Sequence, residues 1–165
     1  MSNSQKTLDT LCPVARAEEV LGGRWTLLVL RELFMGNHRF DDIQIQTGGT
    51  PQMITGRLKS LEAEGLISRE PYSQRPLRYE YRLTPKGDAF YPVLLALREW
   101  GETWCKSEDE SVAVNFTHTV CGQPAGVGLH CAHCGLPLRR EEMISKQSAD
   151  YALERKIRWE AVKKS

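Results

Sequence analysis

Residues 47–87 of the chain are TGGTPQMITGRLKSLEAEGLISREPYSQRPLRYEYRLTPKG. The Gly-Gly pair near the start of this stretch favours a tight turn. Thr50 followed by Pro51 predicts a helix start, because a threonine side chain caps the first turn and proline has the φ angle that this turn needs. Three apolar residues then recur at helical spacing: Ile54, Leu58 and Leu61. The stretch therefore begins with a predicted turn and an amphipathic helix.

The pattern changes from helical to alternating after this helix. Ile67–Pro71 and Arg78–Leu83 are predicted as two strands, and the connection between them contains Arg75, which gives the hairpin a basic tip. A second Thr-Pro pair, at residues 84 and 85, predicts a helix of about 20 residues that Pro92 should kink.

Two more helices are predicted ahead of the turn. Apolar residues at helical spacing between Trp25 and Leu33 predict a core helix, and Phe40–Gln46 predicts a shorter one. The order helix, turn, helix, hairpin is typical of a winged helix-turn-helix, in which one helix enters the DNA major groove and the hairpin reaches neighbouring phosphates or the minor groove. The expected fold class is mainly α with a small antiparallel β-hairpin (α+β), together with a small zinc-ribbon-like C-terminal extension.

The predicted groove-facing residues lie opposite the apolar side of the helix that starts at Pro51. Gln52 pairs well with adenine, Thr55 suits a base edge or a thymine methyl group, and Gly56 permits close approach of the backbone. Basic side chains on this helix and on the hairpin are expected at phosphates. The predicted DNA-binding residues are Thr50, Gln52, Thr55, Gly56, Arg57, Lys59, Arg75 and Arg78.

The local charge supports this prediction better than the overall charge does. The whole chain of 165 residues carries a formal net charge of only +1. Residues 50–87 contain seven Arg or Lys residues against four Glu residues. Because phosphate neutralisation supplies most non-specific DNA affinity, this local excess favours a DNA contact. An ordinary solvated surface with scattered basic residues is the alternative interpretation.

Several separate segments resemble the HxlR-type winged helix-turn-helix regulators. They are CPV at 12–14, LGGRWTLL at 21–28, RFDDI at 39–43, TGRLKSLE at 55–62, GLI at 65–67 and YEYRLTPKG at 79–87. The resemblance covers about residues 10–105 and implies a bacterial, homodimeric transcription regulator whose first and last domain helices form the dimer interface. TGGT at 47–50 stands where the family more usually has Gly-Ile-Ser at the entry to the recognition helix.

A homodimer is also expected from the apolar stripe of the predicted long helix, which exceeds what one small domain needs for its own core. Two recognition helices would read two half-sites about one helical turn (~34 Å) apart. The predicted function is therefore a sequence-specific regulator, most simply a repressor, that binds double-stranded DNA at a palindromic operator.

Cys12 lies directly ahead of the first predicted helix, beside Pro13. Several regulators that resemble this chain use a cysteine at this position to sense oxidants, quinones or aldehydes, and a helix N-terminus favours a reactive thiolate. A response to a reactive small molecule or to redox state is thus one hypothesis. The other is a small apolar residue at the dimer interface. Cys105 is expected to be a packing residue.

The C-terminal part contains two copies of the pattern ligand-x-x-ligand-Gly. His118 and Cys121 form the first pair, and Cys131 and Cys134 form the second. Each tight turn can direct two ligands at one ion, and a thiolate-rich tetrahedral set suits structural Zn²⁺. His130 or His133 could replace His118. Two alternatives remain, namely turns held by packing without metal and a redox pair of Cys131 with Cys134.

The predicted domain limits follow from these patterns. Residues 1–105 form the winged helix-turn-helix and dimerisation domain, 106–115 a polar connector, 116–142 the zinc-ribbon-like extension and 143–165 a basic helical tail. The chain has few bulky apolar residues between Val112 and Leu138, so a bound metal would supply folding free energy that this extension lacks.

Other classes of function are less consistent with the sequence. An enzyme is not expected, because phosphate-binding loops, G-x-S-x-G and H-E-x-x-H motifs are absent from the sequence and the proposed metal set is closed. The chain has no apolar run near 20 residues and no signal-peptide pattern, so we expect a cytoplasmic protein without membrane contact. The remaining alternative is a zinc-dependent adaptor that uses its winged helix for protein contacts.

Overall fold

The computed structural model describes residues 9–163, so the predicted domain ends at residues 1–8 and 164–165 lie outside the described part. The chain forms two compact units, which divide between Pro85 and Lys86. We refer to them as the N-terminal unit and the C-terminal unit. Among the described residues, no helix combines the length and the apolarity that crossing a membrane requires.

The N-terminal unit contains four helices followed by a hairpin, and its last three helices and the hairpin have the predicted order. Its helices are α1 (Pro13–Leu21), α2 (Thr26–Phe34), α3 (Phe40–Thr47) and α4 (Pro51–Ala63). Its core consists of side chains that are almost completely buried: Val29, Leu30, Leu33, Ile43, Ile54, Leu58 and Leu61. The winged helix-turn-helix fold is thus confirmed, with α4 as its second helix.

The turn between α3 and α4 is as tight as the sequence predicts. The Thr50 hydroxyl caps α4 by accepting a hydrogen bond from the Met53 backbone N–H at 3.3 Å, and Pro51 occupies the first turn. Gly49 packs so closely on α4 that an added Cβ would lie 2.7 Å from Ile54 Cδ1. A side chain at position 49 would therefore displace the buried Ile54 side chain.

The hairpin is longer than predicted. Strands β1 (Ile67–Gln74) and β2 (Leu77–Leu83) pair antiparallel, with an irregularity between Pro71 and Ser73, and only residues 75 and 76 connect them. Cross-strand hydrogen bonds extend the strands into a segment whose Pro, Ser and Gln residues lack a strand pattern. The base of the hairpin is fixed to the start of α3, because Tyr81 N–H donates to the His38 carbonyl at 2.8 Å.

The prediction of one long kinked helix after the hairpin is wrong. The structure has a short helix α5 (Pro85–Asp88) and a separate helix α6 (Tyr91–Trp104). Pro92 lies in the first turn of α6, where its missing N–H would have no helical partner in any case. Proline therefore begins a helix here instead of bending one.

The rest of the C-terminal unit is a three-stranded antiparallel sheet in the order β4-β3-β5, followed by a helix. Strands β3 (Val114–His118), β4 (Gln123–Pro124) and β5 (Met143–Gln147) precede α7 (Ala149–Lys163), and a 3₁₀ turn spans Arg140–Glu142. The predicted helical tail from residue 143 is therefore corrected: residues 143–147 pair with β3, and the helix begins at Ala149. Cross-strand pairing outweighs the helical composition of the tail.

Helix α6 belongs to the C-terminal unit, whereas the sequence assigned it to the domain before residue 106. Arg98 of α6 donates to the carbonyls of Val114 at 2.6 Å and Val127 at 2.9 Å. Its guanidinium also lies 4.7 Å from the centre of the Phe116 ring. Burial lowers the pKa of Arg98 from its ordinary value, but these carbonyls replace the lost water. The α6 helix is thereby tied to β3 and to the loop after β4.

Candidate nucleic-acid interface and candidate metal centre

Helix α4 presents a polar face to solvent. Ile54, Leu58 and Leu61 are buried, and the residues at the complementary helical positions are exposed: Gln52, Thr55, Gly56 and Lys59. Met53 is also exposed, at 43 %. It was not among the predicted contacts, which are all polar residues, basic residues or glycine. The exposed face therefore combines hydrogen-bonding groups with one flexible apolar side chain.

Arg57 is positioned differently from the rest of this set. Its Nη1 donates to the Gly22 carbonyl at 2.8 Å, and its guanidinium lies over Gly23, where an added Cβ would be 2.7 Å from Cζ. This contact joins α4 to the loop between α1 and α2. The phosphate contact of Arg57 stays a prediction, but the structure gives the side chain a second role in holding α4 in place.

The basic residues of the hairpin divide into paired and unpaired groups. Arg69 forms an ion pair with Glu62 at 3.2 Å, and Arg82 forms one with Glu80 at 2.7 Å. Arg75 and Arg78 are exposed near the hairpin tip. Within residues 9–163, we find no ion pair for Arg75, Arg78 or Lys59. Three cations of the predicted interface thus remain without an acidic partner in the described chain.

The two predicted metal-binding turns have the same geometry. Gly122 N–H donates to the His118 carbonyl and Gly135 N–H donates to the Cys131 carbonyl, both at 2.8 Å. Gly122 has φ +70° and Gly135 has φ +73°, a conformation that residues with a Cβ rarely adopt. Each glycine therefore closes a turn that carries one pair of predicted ligands.

The structure brings these four side chains into one cluster. The donor atoms of His118, Cys121, Cys131 and Cys134 all lie within 4.8 Å of one another. His118 Nδ1 lies 3.5 Å from Cys121 Sγ and 3.3 Å from Cys134 Sγ, and the sulfurs of Cys121 and Cys131 are 3.7 Å apart. A tetrahedron with zinc–sulfur bonds of about 2.3 Å and a zinc–nitrogen bond of about 2.0 Å has edges of about 3.5 to 3.8 Å. The four side chains therefore fit a tetrahedral metal.

Hydrogen bonds favour a thiolate within this cluster. The backbone N–H of Cys134 donates to the sulfur of Cys131, with a further contribution from the N–H of His133, and the pKa of the Cys131 thiol is lowered to about 6. Burial raises the pKa of Cys121 instead. Because metals bind the thiolate, the Cys131 sulfur is deprotonated more readily for metal binding than the Cys121 sulfur.

The remaining histidines and cysteines lie elsewhere. His130 and His133 are exposed, and the cluster contains His118 instead of either. Cys12 is exposed directly ahead of α1. Cys105 is also exposed, at the end of α6, so within this chain it is not the packing residue that the sequence predicts. It directly follows Trp104, the last residue of the exposed apolar face of α6.

Two residues of the C-terminal unit were missed by sequence reasoning. The sequence prediction for α6 rests on its apolar stripe and therefore does not include Arg98. Glu142, in the 3₁₀ turn, lies with its Oε2 3.7 Å from His118 Nε2. It stands 24 positions along the chain from His118 and belongs to neither of the two ligand pairs. Only the pairing of β3 with β5 brings these two residues together.

Known proteins similar to the chain include curated relatives and solved structures. The HTH-type transcriptional regulator Rv3095 of Mycobacterium tuberculosis is 39 % identical over 122 residues, which cover 74 % of this chain and 77 % of Rv3095. The crystal structure of PA1607, a proposed transcription factor, is 34 % identical with a TM-score of 0.65, and the match covers 85 % of this chain and 97 % of PA1607. The redox regulator HypR in its reduced form is 35 % identical with a TM-score of 0.51, covering 56 % of this chain and 92 % of HypR.

The family profile agrees with these relatives. The HxlR-like helix-turn-helix profile matches residues 20–109, which include α2, α3, α4 and the hairpin. The match therefore spans the exposed polar face of α4 and the hairpin cations described above. The chain belongs to the HxlR-like helix-turn-helix family of transcriptional regulators.

Proposed function

We propose that the protein is a transcriptional repressor that binds a palindromic operator as a homodimer in the bacterial cytoplasm. The observation that carries this proposal is the exposed face of α4, which is polar and open in a family of helix-turn-helix regulators. Gln52 and Thr55 are assigned to base edges, and Gly56 lets α4 approach them closely. Lys59, Arg75 and Arg78 are assigned to phosphates because they have no acidic partner among the described residues.

A homodimer is supported by an uncovered apolar stripe on α6. Val93, Leu97, Trp100 and Trp104 follow one another at helical spacing, and each is between 43 and 73 % exposed in the single chain. Four large apolar side chains on one helix face would be costly to leave in water. We assign this stripe to the interface between two copies, which would give the protein the two-fold symmetry of a palindrome.

A structural zinc ion is proposed for the cluster of His118, Cys121, Cys131 and Cys134. Three sulfurs and one imidazole at tetrahedral spacing support zinc over harder cations such as magnesium or calcium. The ion would join the two glycine-closed turns and supply folding free energy to residues 116–142. Native mass spectrometry of protein expressed with zinc should give a dimer with one zinc per chain. A dimer without metal would contradict the zinc proposal alone.

A response to redox state or to a reactive small molecule is proposed at Cys12. The exposed thiol ahead of α1 supports this assignment, as does the similarity to HypR, which is named a redox regulator. Substitution of Cys12→Ser should remove the loss of DNA binding that mild oxidation with hydrogen peroxide causes in the unmodified protein. Cys105→Ser is the matched control, because Cys105 is also exposed, at the end of a different helix.

The DNA-binding proposal is tested by selecting bound duplexes from a random library with the full chain. The expected product is an imperfect palindrome with half-sites about one helical turn apart, near 10 base pairs. Lys59→Glu combined with Arg75→Glu should abolish enrichment, whereas Arg82→Glu, at a cation already paired with Glu80, should weaken it less. Reporter expression from the selected operator then distinguishes a repressor from an activator.

The alternative of an adaptor that binds proteins through the winged helix predicts a different result. The Lys59 and Arg75 charge reversals would then leave the protein's activity in the cell unchanged, and no duplex would be enriched over the starting library. That result would contradict the proposed DNA contacts and favour the adaptor.

A further inference from the structure

The two ring nitrogens of His118 have different surroundings. The side chain is completely buried. Nδ1 faces the sulfurs of Cys121 and Cys134 at 3.5 and 3.3 Å. Nε2 is a buried polar atom for which no hydrogen-bond partner is found among the described residues. The nearest acidic group is the Glu142 carboxylate, with Oε2 3.7 Å from Nε2.

A metal at the cluster would determine which nitrogen carries the proton. The sulfur atoms surround Nδ1, so this nitrogen would offer its lone pair to the ion, and a neutral imidazole then carries its hydrogen on Nε2. That N–H is a donor in a buried place, where a donor without an acceptor is unfavourable. The ring therefore needs an acceptor on its Nε2 side.

Glu142 has the position and the freedom to be this acceptor. Its backbone is fixed, because the Thr119 N–H and Oγ1 both donate to the Glu142 carbonyl, at 2.8 and 3.0 Å. Its side chain is 32 % exposed and thus less confined than the ring. A shift of a few tenths of an ångström would bring the carboxylate from 3.7 Å within hydrogen-bond distance of Nε2.

We propose that Glu142 is a positioning residue that accepts a hydrogen bond from His118 Nε2 and thereby orients Nδ1 toward the metal. The inference rests on the zinc centre proposed above. A carboxylate behind a ligating imidazole fixes the ring and its tautomer and makes the metal-binding nitrogen more basic. Glu142 thus acts on metal affinity through His118, without touching the ion.

The test compares zinc affinity among full-length variants by competition with a chromophoric chelator. Glu142→Ala should bind zinc about 10- to 100-fold more weakly than the unmodified chain. Glu142→Gln keeps an acceptor oxygen and nearly the same shape, so it should lose less zinc affinity. It also keeps the hydrogen bond testable where the alanine variant misfolds. Glu141→Ala is the matched control, because Glu141 is an exposed neighbour in the same 3₁₀ turn.

Nitrogen NMR of the zinc-loaded chain with ¹⁵N-labelled histidine gives a readout of the hydrogen bond itself. In the unmodified chain, His118 should bind through Nδ1 and show a slowly exchanging Nε2 proton, and this proton should exchange fast in Glu142→Ala.

A ring that binds through Nε2, or a Glu142→Ala chain that holds zinc as tightly as Glu141→Ala, would overturn the role of Glu142 while leaving the zinc centre. An unmodified chain that takes up no zinc would overturn both.

Discussion

Removing the two cations near the hairpin tip should flatten the salt dependence of DNA binding. Arg75 and Arg78 are exposed and have no ion pair within residues 9–163, so each is available to one phosphate. The double variant Arg75→Ala/Arg78→Ala loses both, and a dimer loses the pair twice. Because the fold of the hairpin depends on β1–β2 pairing, the variant should keep its structure.

The size of the effect follows from counterion release. Each neutralised phosphate contributes about 0.9 to the slope of log affinity against log salt concentration. Four lost contacts in a dimer would therefore reduce the slope by about 3.6. Between about 50 and about 200 mM salt, the unmodified protein would then lose roughly 100-fold more affinity than the variant.

The assay is fluorescence anisotropy with a labelled duplex of arbitrary sequence, since the phosphate contribution does not depend on sequence. Arg82→Ala is the matched control, because it removes the same side chain from the same hairpin at a position paired with Glu80. Circular dichroism checks that both variants are folded. An unchanged slope in the double variant, or an equal reduction in Arg82→Ala, would refute the assignment of Arg75 and Arg78.

Three further predictions concern packing, the α4 surface and the metal. Gly49→Ala should lower the free energy of unfolding by about 1 to 3 kcal/mol, because the new Cβ would meet Ile54 Cδ1 at 2.7 Å, and an unchanged melting temperature would contradict the tight turn. A Cβ added at Gly56 would have no neighbour within 4 Å, so Gly56→Ala should stabilise α4 by about 1 kcal/mol while weakening operator binding. Unchanged operator binding would show that Gly56 does not lie in the interface. Cys131→Ser should reduce zinc from one ion per chain to none by mass spectrometry, whereas Cys105→Ser should retain it, and zinc retained by Cys131→Ser would contradict the proposed ligand set.

The parts of the site that were predictable share one property, which is short separation along the chain. The start of α4 at Pro51 depends on a capping threonine one residue away, and its polar face follows from helical spacing alone. The turns that carry His118 with Cys121 and Cys131 with Cys134 depend on a glycine after the second residue of each pair. Such patterns involve a few neighbouring residues, so sequence reasoning could identify them.

Sequence reasoning was wrong or incomplete where distant segments decide the outcome. Residues 143–147 form a strand because β3 offers hydrogen-bond partners, although the composition favours a helix. Arg57 was assigned to phosphates, but the carbonyl of Gly22, 35 positions away, already receives one of its hydrogen bonds. Helix α6 joins the C-terminal unit because Arg98 finds carbonyls beyond residue 113.

The sequence alone determined the winged helix-turn-helix order and the two pairs of candidate metal ligands, since each depends on local propensity and spacing, and the resemblance of several segments indicated the family. Only the tertiary structure decided which cations lack partners, which histidine lies beside the three sulfurs, and that a carboxylate stands behind it. Those properties depend on distances and burial, and both are set by strand pairing and packing between residues far apart in the chain. Hydrogen bonds and ion pairs form between atoms that are close in space, whatever their separation in sequence.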